Sequence, residues 1–203
     1  MYLNRIATPL LLFVTAALPL RVEAQAFTEF RDPLRGVTFY SVQISTDPLT
    51  DLQVEGSRFA ANDRMTLGFS AFFFDESDVI DDYVIWLRHD GPRRWFTGSN
   101  NDRPLRLLLD DESSEPVPLH VLQPGGPDSG PFVEKLEFAL PPPQFFALMN
   151  AESAVIELTT LLGLVEKRLD QEELAAIQRF NERVHDRHDE AKATLAAAAA
   201  TTD

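Results

Sequence analysis

The chain has 203 residues, of which 44% are hydrophobic, and it carries a formal net charge of −14. It contains no cysteine, which excludes disulfide bonds and the attachment of lipid at a cysteine. A strongly acidic surface repels phosphate groups, so we expect no nucleic-acid partner. The same charge disfavours binding to anionic lipid surfaces.

The N-terminus predicts an export signal. Arg5 precedes an apolar run at residues 10–20, which suits a signal-peptide core but is too short to span a hydrocarbon layer of about 30 Å. Small residues at Ala24 and Ala26 fit the small-x-small rule of signal peptidase. We therefore predict that residues 1–26 are a signal peptide and that the protein is periplasmic or secreted. A buried N-terminal helix and an uncleaved membrane anchor are the alternatives.

No later stretch of the sequence is long and apolar enough for a membrane-spanning helix. We therefore expect no transmembrane segment after signal cleavage.

Up to residue 140, short apolar segments alternate with turn residues and predict β-strands. From Leu67 to Phe73, for example, every second residue is apolar, as in a strand with one buried face. We expect a hairpin closed by a turn at residues 89–92. The expected strands are residues 37–44, 65–74, 82–88, 93–97, 105–109, 117–122 and 132–140.

After three prolines at positions 141–143, the pattern changes. Residues 144–150 predict a short helix, residues 154–159 predict a strand that continues past Gly163, and a long helix follows. Asp170 and Glu173 have the spacing of a helix-capping pair. The apolar face of the long helix is formed by Leu174, Ile177, Phe180 and Val184.

These elements predict an α+β fold, with an antiparallel β-sheet of about seven strands and a short helix and a long C-terminal amphipathic helix packed on one face. A closed barrel or a sandwich with an appended helix is the alternative. We predict a single domain over residues 27–190, followed by an Ala-rich disordered tail at residues 191–203.

The end of the long helix carries a candidate metal site. His185, His188 and Asp189 are three and four residues apart, which places them on one helix face. Two imidazoles and a carboxylate are suitable ligands for a divalent metal. The alternative is a solvated helix end whose imidazoles meet the negative end of the helix dipole.

The acidic clusters do not resemble a known site. The run at residues 75–82 lacks the glycine of a calcium-binding loop, and residues 110–112 have the composition of a turn. We expect no cofactor.

A candidate binding surface lies on the sheet. Its tryptophans and the phenylalanines at residues 72–74 can line an apolar pocket, and its arginines form the basic stretch of an acidic chain. The alternatives are ordinary core packing and internal charge balance. The candidate binding residues are Arg88, Arg93, Arg94, Trp95 and Trp86.

Nothing in the sequence indicates a catalytic centre. There is no cysteine nucleophile and no Gly-x-Ser-x-Gly motif, and no histidine lies in the context of a catalytic triad. The sequence therefore predicts an exported, non-catalytic module that binds a protein or a small apolar ligand. The alternatives are a carboxylate-based hydrolase, with or without a metal, and a structural component of the cell envelope.

Overall fold

The computed structural model describes residues 27–48, 53–54, 62–74, 77, 80, 82–95, 105–125, 132–160 and 163–200. The predicted signal peptide lies outside these residues. The helices are α1 (Pro142–Asn150) and α2 (Gln171–Ala200). The strands are β1 (Phe27–Asp32), β2 (Val37–Pro48), β3 (Gln53–Val54), β4 (Arg64–Phe74), β5 (Asp82–Gly91), β6 (Leu105–Leu109), β7 (Glu112–Ser113), β8 (Leu119–Gly125), β9 (Phe132–Leu140), β10 (Ala154–Thr160) and β11 (Gly163–Leu169).

The strands form two antiparallel sheets. The larger sheet has the order β1-β2-β4-β5-β9-β8, and the smaller sheet has the order β3-β11-β10-β6-β7. The α+β class, the antiparallel pairing, the short helix and the long C-terminal helix are confirmed. The strands are divided between two sheets, however, because α1 follows β9 and the chain then pairs β10 with β11 and β6.

One hydrophobic cluster contains buried residues of both sheets and both helices. The larger sheet contributes alternate residues to it, such as Phe69, Ile85 and Phe138, which lie opposite one another on adjacent strands. We call this side of the larger sheet the inner face and the opposite side the outer face. Helix α1 adds Phe145 and Leu148 to the cluster.

Helix α2 begins at the predicted capping pair. The backbone N–H of Asp170 donates to Oε2 of Glu173 at 2.9 Å, and the backbone N–H of Glu173 donates to Oδ1 of Asp170 at 2.8 Å. This reciprocal arrangement satisfies donors that a helix N-terminus leaves without intrahelical acceptors. All four residues of the predicted apolar face are buried, so both predictions are confirmed.

A partly buried ion network joins the start of α2 to both sheets. Nζ of Lys167 on β11 lies 2.7 Å from Oε1 of Glu173 and 2.9 Å from Oδ2 of Asp47 on β2. Burial alone would lower the pKa of Lys167, but hydrogen bonds with these two carboxylates outweigh it and raise that pKa. The ammonium therefore stays charged at neutral pH and connects three elements.

Helix α2 continues to Ala200, beyond the point at which we predicted a disordered tail. Alanine has the highest intrinsic helix propensity, and an existing helix extends at less cost than a new one nucleates. An apolar face is therefore not required for these last turns. No helix among the described residues has the length and apolar character to cross a membrane.

The predicted hairpin after residue 88 is wrong. Strand β5 continues to Gly91 and pairs with both β4 and β9, so neither side is open for a returning arm. Residues 92–95, which are the described residues directly after β5, contain no strand. Gly91 provides space within the strand, since a Cβ atom there would lie 2.0 Å from Oδ1 of Asp63.

Candidate functional site

The outer face of the larger sheet carries a shallow groove of about 350 Å³. Strand register explains how it forms. Phe39 on β2 lies opposite Phe72 on β4, and Val84 on β5 lies opposite Ala139 on β9. Because side chains alternate between the two faces of a strand, these apolar residues share the outer face. The lining residues are Arg35, Val37, Phe39, Phe72, Phe74, Asp82, Val84, Glu137 and Ala139.

Aromatic side chains dominate one end of this groove. The rings of Phe39 and Phe72 form a T-shaped contact with centroids 4.8 Å apart, and Phe30 packs on Phe39 at 6.0 Å. Phe30 is 62% exposed and Phe74 is 50% exposed. Exposed apolar groups that lie close together on a protein surface are candidates for a binding surface. We call Phe30, Phe39, Phe72 and Phe74 the outer aromatic cluster.

Trp86, which the sequence predicts as a binding residue, lies further along the outer face. A Cβ atom on Gly68 would lie 2.0 Å from its ring, so the indole rests against the backbone of β4 where only glycine fits. Its Nε1 donates to Oγ of Ser41 at 3.3 Å, and Nζ of Lys135 lies 5.2 Å from the ring centroid. These contacts fix Trp86 as a flat, half-buried neighbour of the groove.

The predicted arginines do not form one patch. Arg88 lies on the outer face, and its Nη2 donates to Oδ1 of Asp90 at 2.8 Å. Arg93 and Arg94 follow β5 and are exposed, and the guanidinium of Arg94 lies 5.1 Å from the ring centroid of Phe132. Phe132 lies opposite Gly91 and therefore faces the other side of the sheet from Arg88, so Arg94 and Arg88 are associated with different faces.

Trp95 is fully buried and is part of the core. Its ring centroid lies 5.3 Å from that of His89, and its backbone N–H donates to Oε2 of Glu134. Trp86 and Trp95 therefore lie in different environments, one on the outer face and one in the interior.

Trp95 packs against a buried cluster of ionisable groups that sequence reasoning missed. His89 places Nε2 3.3 Å from Oδ1 of Asp63 and Nδ1 3.4 Å from Oε2 of Glu134. None of the three side chains is more than 2% exposed. His89 and Glu134 face each other across β5 and β9, and Asp63 immediately precedes β4.

The geometry of this cluster indicates a structural role. Nε2 of His89 is within hydrogen-bond distance of Oδ1 of Asp63, and Nδ1 lies close to Oε2 of Glu134. Buried ionisable groups need such partners, because transfer of an unpaired charge from water is costly. Since all three groups are enclosed, the cluster presents no surface on which a substrate can bind.

The predicted metal site is not assembled. His188 is buried, and its ring stacks on Phe73 with centroids 3.8 Å apart, whereas His185 and Asp189 are exposed. Over the part of the chain that the structure describes, no group of three or more His, Cys, Asp or Glu side chains is placed to hold a metal ion. The difference arises because packing on the sheet turns His188 away from the solvent.

The acids considered for a hydrolase are only partly described, because residues 75, 76, 78 and 81 lie outside the described residues. Asp110 and Asp111 form the turn between β6 and β7, with φ values of 51° and 68°. Two residues with positive φ suit a tight hairpin loop. Oδ1 of Asp110 accepts hydrogen bonds from the backbone N–H groups of Glu152 and Ser153. These hydrogen bonds give the Asp110 carboxylate a structural role.

Comparison with protein-family models, with curated proteins and with solved structures finds no match.

Sequence reasoning identified part of the outer-face site. It singled out the phenylalanines at residues 72–74 and Trp86. The structure places Phe72, Phe74 and Trp86 on the outer face of the larger sheet and Phe73 in the core. Sequence reasoning missed Phe30 and Phe39, because β1 was not predicted and the register between β1 and β2 was unknown. The alternation of β2 was the available signal, since Phe39 falls on the opposite face from Tyr40.

Proposed function

We propose that this protein is an exported, non-catalytic module that binds a small apolar ligand in the groove on the outer face of the larger sheet. The outer aromatic cluster is the observation that carries this proposal. Small-ligand sites are mostly apolar and have volumes of about 300–1,000 Å³, and the groove has about 350 Å³.

The exposure of the cluster supplies a driving force for binding. Phe74 lines the groove and is 50% exposed. Complete burial of one phenylalanine side chain is worth about 1.5–3 kcal/mol. A ligand that covers the exposed part of Phe74 gains a fraction of this free energy.

The polar rim of the groove gives the ligand a preferred orientation. Arg35 lies at one end of the lining, and Asp82 and Glu137 also line it. Between them the floor is formed by Phe72, Val84 and Ala139. A neutral ligand with an apolar body fits this arrangement, because the acidic rim disfavours an anion.

Substitution of Phe72 by glutamate is expected to abolish binding of an apolar ligand. The fluorescent probe N-phenyl-1-naphthylamine is neutral and apolar, and we expect it to bind the purified protein saturably. Phe72→Glu places a charge in the floor of the groove, where Phe72 contacts Phe39. We expect the dissociation constant of the Phe72→Glu variant for the probe to be at least tenfold higher than that of the unmodified protein. This ratio corresponds to a loss of about 1.4 kcal/mol of binding free energy.

Leu34→Glu is the matched control, because it adds the same charge at a side chain that is 96% exposed and outside the groove lining. Its affinity for the probe should equal that of the unmodified protein. Circular dichroism melting confirms that both variants are folded. Equal affinities in the two variants, or no saturable fluorescence with the unmodified protein, would refute the proposal.

We also propose that the protein is exported and that residues 1–26 are removed as a signal peptide. Phe27, which follows the predicted cleavage site, already pairs with Val42 in the larger sheet, so removal of residues 1–26 leaves β1 intact. N-terminal sequencing of protein recovered outside the cytoplasm is expected to begin at Phe27. Protein that retains Met1, or that stays in the cytosol, would show that the leader is not a signal peptide.

A further inference from the structure

Strand β1 forms one edge of the larger sheet, and among the described strands it pairs with β2 alone. The side chains of its four central residues, 28–31, are exposed. Helix α2 reaches β1 at Phe27, whose ring centroid lies 6.2 Å from that of Phe180, and it leaves these four side chains uncovered. The backbone N–H and C=O groups on the open side of an edge strand can pair with a strand of another chain.

The other described edge strands are protected against such pairing. Strand β8, at the opposite edge of the larger sheet, contains Pro124 and shifts register between Leu119 and Val121. Strands β3 and β7, at the edges of the smaller sheet, have two residues each. Proline, bulges and short length are common means of blocking an edge. Strand β1 has six residues, no proline and no register shift against β2, so it is the described edge that is best suited to pairing.

The side chains of β1 are arranged symmetrically about Phe30. Phe30 lies on the outer face, where its ring packs on Phe39 with centroids 6.0 Å apart, and it is 62% exposed. Glu29 and Arg31 flank Phe30 and carry opposite charges, and both lie on the inner face because side chains alternate along a strand. A second copy of β1 in antiparallel orientation presents the same residues in reverse order and is therefore complementary to the first.

One register of two β1 strands combines long pairing with favourable charges. In a two-fold symmetric antiparallel pair, the central residue faces its own copy, and residues at equal distances on either side face each other. A centre at Glu29 or Arg31 would place identical charges opposite each other, which is destabilising. A centre nearer either end of β1 would pair at most three of its residues. A centre at Phe30 pairs five residues of each strand and sets Glu29 opposite Arg31 of the second copy.

We propose that the protein forms a two-fold symmetric dimer in which β1 pairs with β1 of a second copy around Phe30. The larger sheet contributes six strands from each copy, so the dimer has one continuous sheet of twelve strands. The aromatic row of Phe72, Phe39 and Phe30 continues into Phe30 of the second copy, so the two outer aromatic clusters adjoin. Aromatic pairs and opposite charges across neighbouring strands both stabilise such an arrangement.

The remaining charges near β1 are compatible with this dimer. Arg31 has interactions within its own chain, and its guanidinium has five N–H donors, so it can keep them while it faces Glu29 of the second copy. Asp32 lies opposite Thr28 of the second copy, and its charge is balanced by Arg35, whose Nε lies 3.7 Å from Oδ2 of Asp32. The net charge of −14 on each copy opposes association, but salt screens this repulsion.

Sedimentation equilibrium of the purified protein measures the association. At about 0.15 M salt and at protein concentrations from about 1 μM to about 1 mM, we expect the mass to rise towards that of two copies. It should not rise further, because a two-fold contact occupies both β1 edges. Glu29→Arg sets like charges opposite each other twice in the dimer and should raise the dissociation constant at least about tenfold. Glu115→Arg is the matched control, because it makes the same change at an exposed residue between β7 and β8, and it should dimerise as the unmodified protein does.

A mixture of two variants gives the sharpest test of the register. Arg31→Glu alone should weaken dimerisation as Glu29→Arg does, because it also opposes like charges. In an equimolar mixture of the two variants, a mixed dimer has opposite charges at both contacts, so association should recover to that of the unmodified protein. This recovery also shows that both variants are folded, since an unfolded chain cannot restore pairing.

Dimerisation is independent of ligand binding in the outer groove. Phe72→Glu leaves β1 unchanged and should still dimerise, even though we expect it to lose the apolar probe. The dimer would be refuted by a mass of one copy at every concentration, or by assemblies larger than two copies. It would also be refuted by equal dissociation constants for Glu29→Arg and Glu115→Arg, or by a mixture of Glu29→Arg and Arg31→Glu that does not associate.

Discussion

Replacement of His89 by leucine is expected to lower the free energy of unfolding by about 3–5 kcal/mol. The imidazole lies between the carboxyl groups of Asp63 and Glu134, and all three side chains are at most 2% exposed. Leucine has a similar size but no polar atoms, so both carboxyl groups lose the imidazole while they stay buried, although Glu134 keeps the backbone N–H of Trp95. Removal of one member of a buried ionic cluster is strongly destabilising for this reason.

Urea denaturation monitored by circular dichroism measures this loss. His185→Leu is the control, because it makes the same substitution at an exposed position on α2, where we expect a change within about 0.5 kcal/mol. If His89→Leu is as stable as His185→Leu, the three buried groups do not stabilise one another.

Phe145→Ala is expected to cost about 3–5 kcal/mol of stability, as is typical of a large aromatic side chain removed from a core. Phe145 is fully buried. Its ring stacks on Tyr83 with centroids 3.7 Å apart and forms a T-shaped contact with Phe69 at 6.2 Å. The substitution therefore opens a cavity where α1 packs on the larger sheet.

The adjacent residue provides the control. Phe146 has the same side chain on the same helix but is 39% exposed, so Phe146→Ala removes less buried surface and should cost at most about 1 kcal/mol. Thermal or urea unfolding of both variants measures the difference. Similar losses for the two would mean that α1 does not pack through Phe145.

Elements with a strong local pattern were predicted well. Strand β4 alternates apolar residues, and the apolar stripe of α2 repeats at helical spacing, so each identifies its own buried face from local sequence. The capping pair Asp170 and Glu173 is also a local signal. In each case, neighbouring residues along the chain carry the information.

The prediction failed where a glycine had two possible uses. Asp90, Gly91 and Pro92 have the composition of a turn, which led to the wrong hairpin. In the folded protein, Gly91 stays within β5 and makes room for the carboxylate of Asp63, which belongs to the segment before β4. Sequence composition cannot distinguish these uses, because the second depends on a residue that is distant along the chain.

The candidate site on the outer face shows the same limit. The outer aromatic cluster combines residues of β1, β2 and β4, and its existence depends on the register Phe30–Phe39–Phe72. It is assembled by strand pairing and has no motif in the sequence.

The sequence by itself determined the α+β class, the antiparallel strands, the start and the buried face of α2, and the acidic, cysteine-free character of the chain. These properties follow from composition and from periodicity over neighbouring residues. Only the tertiary structure decided that the strands form two sheets, that Trp86 lies on the outer face while Trp95 is buried, and that His89 meets Asp63 and Glu134. Those outcomes depend on contacts between residues far apart in the chain, which backbone pairing and core packing select.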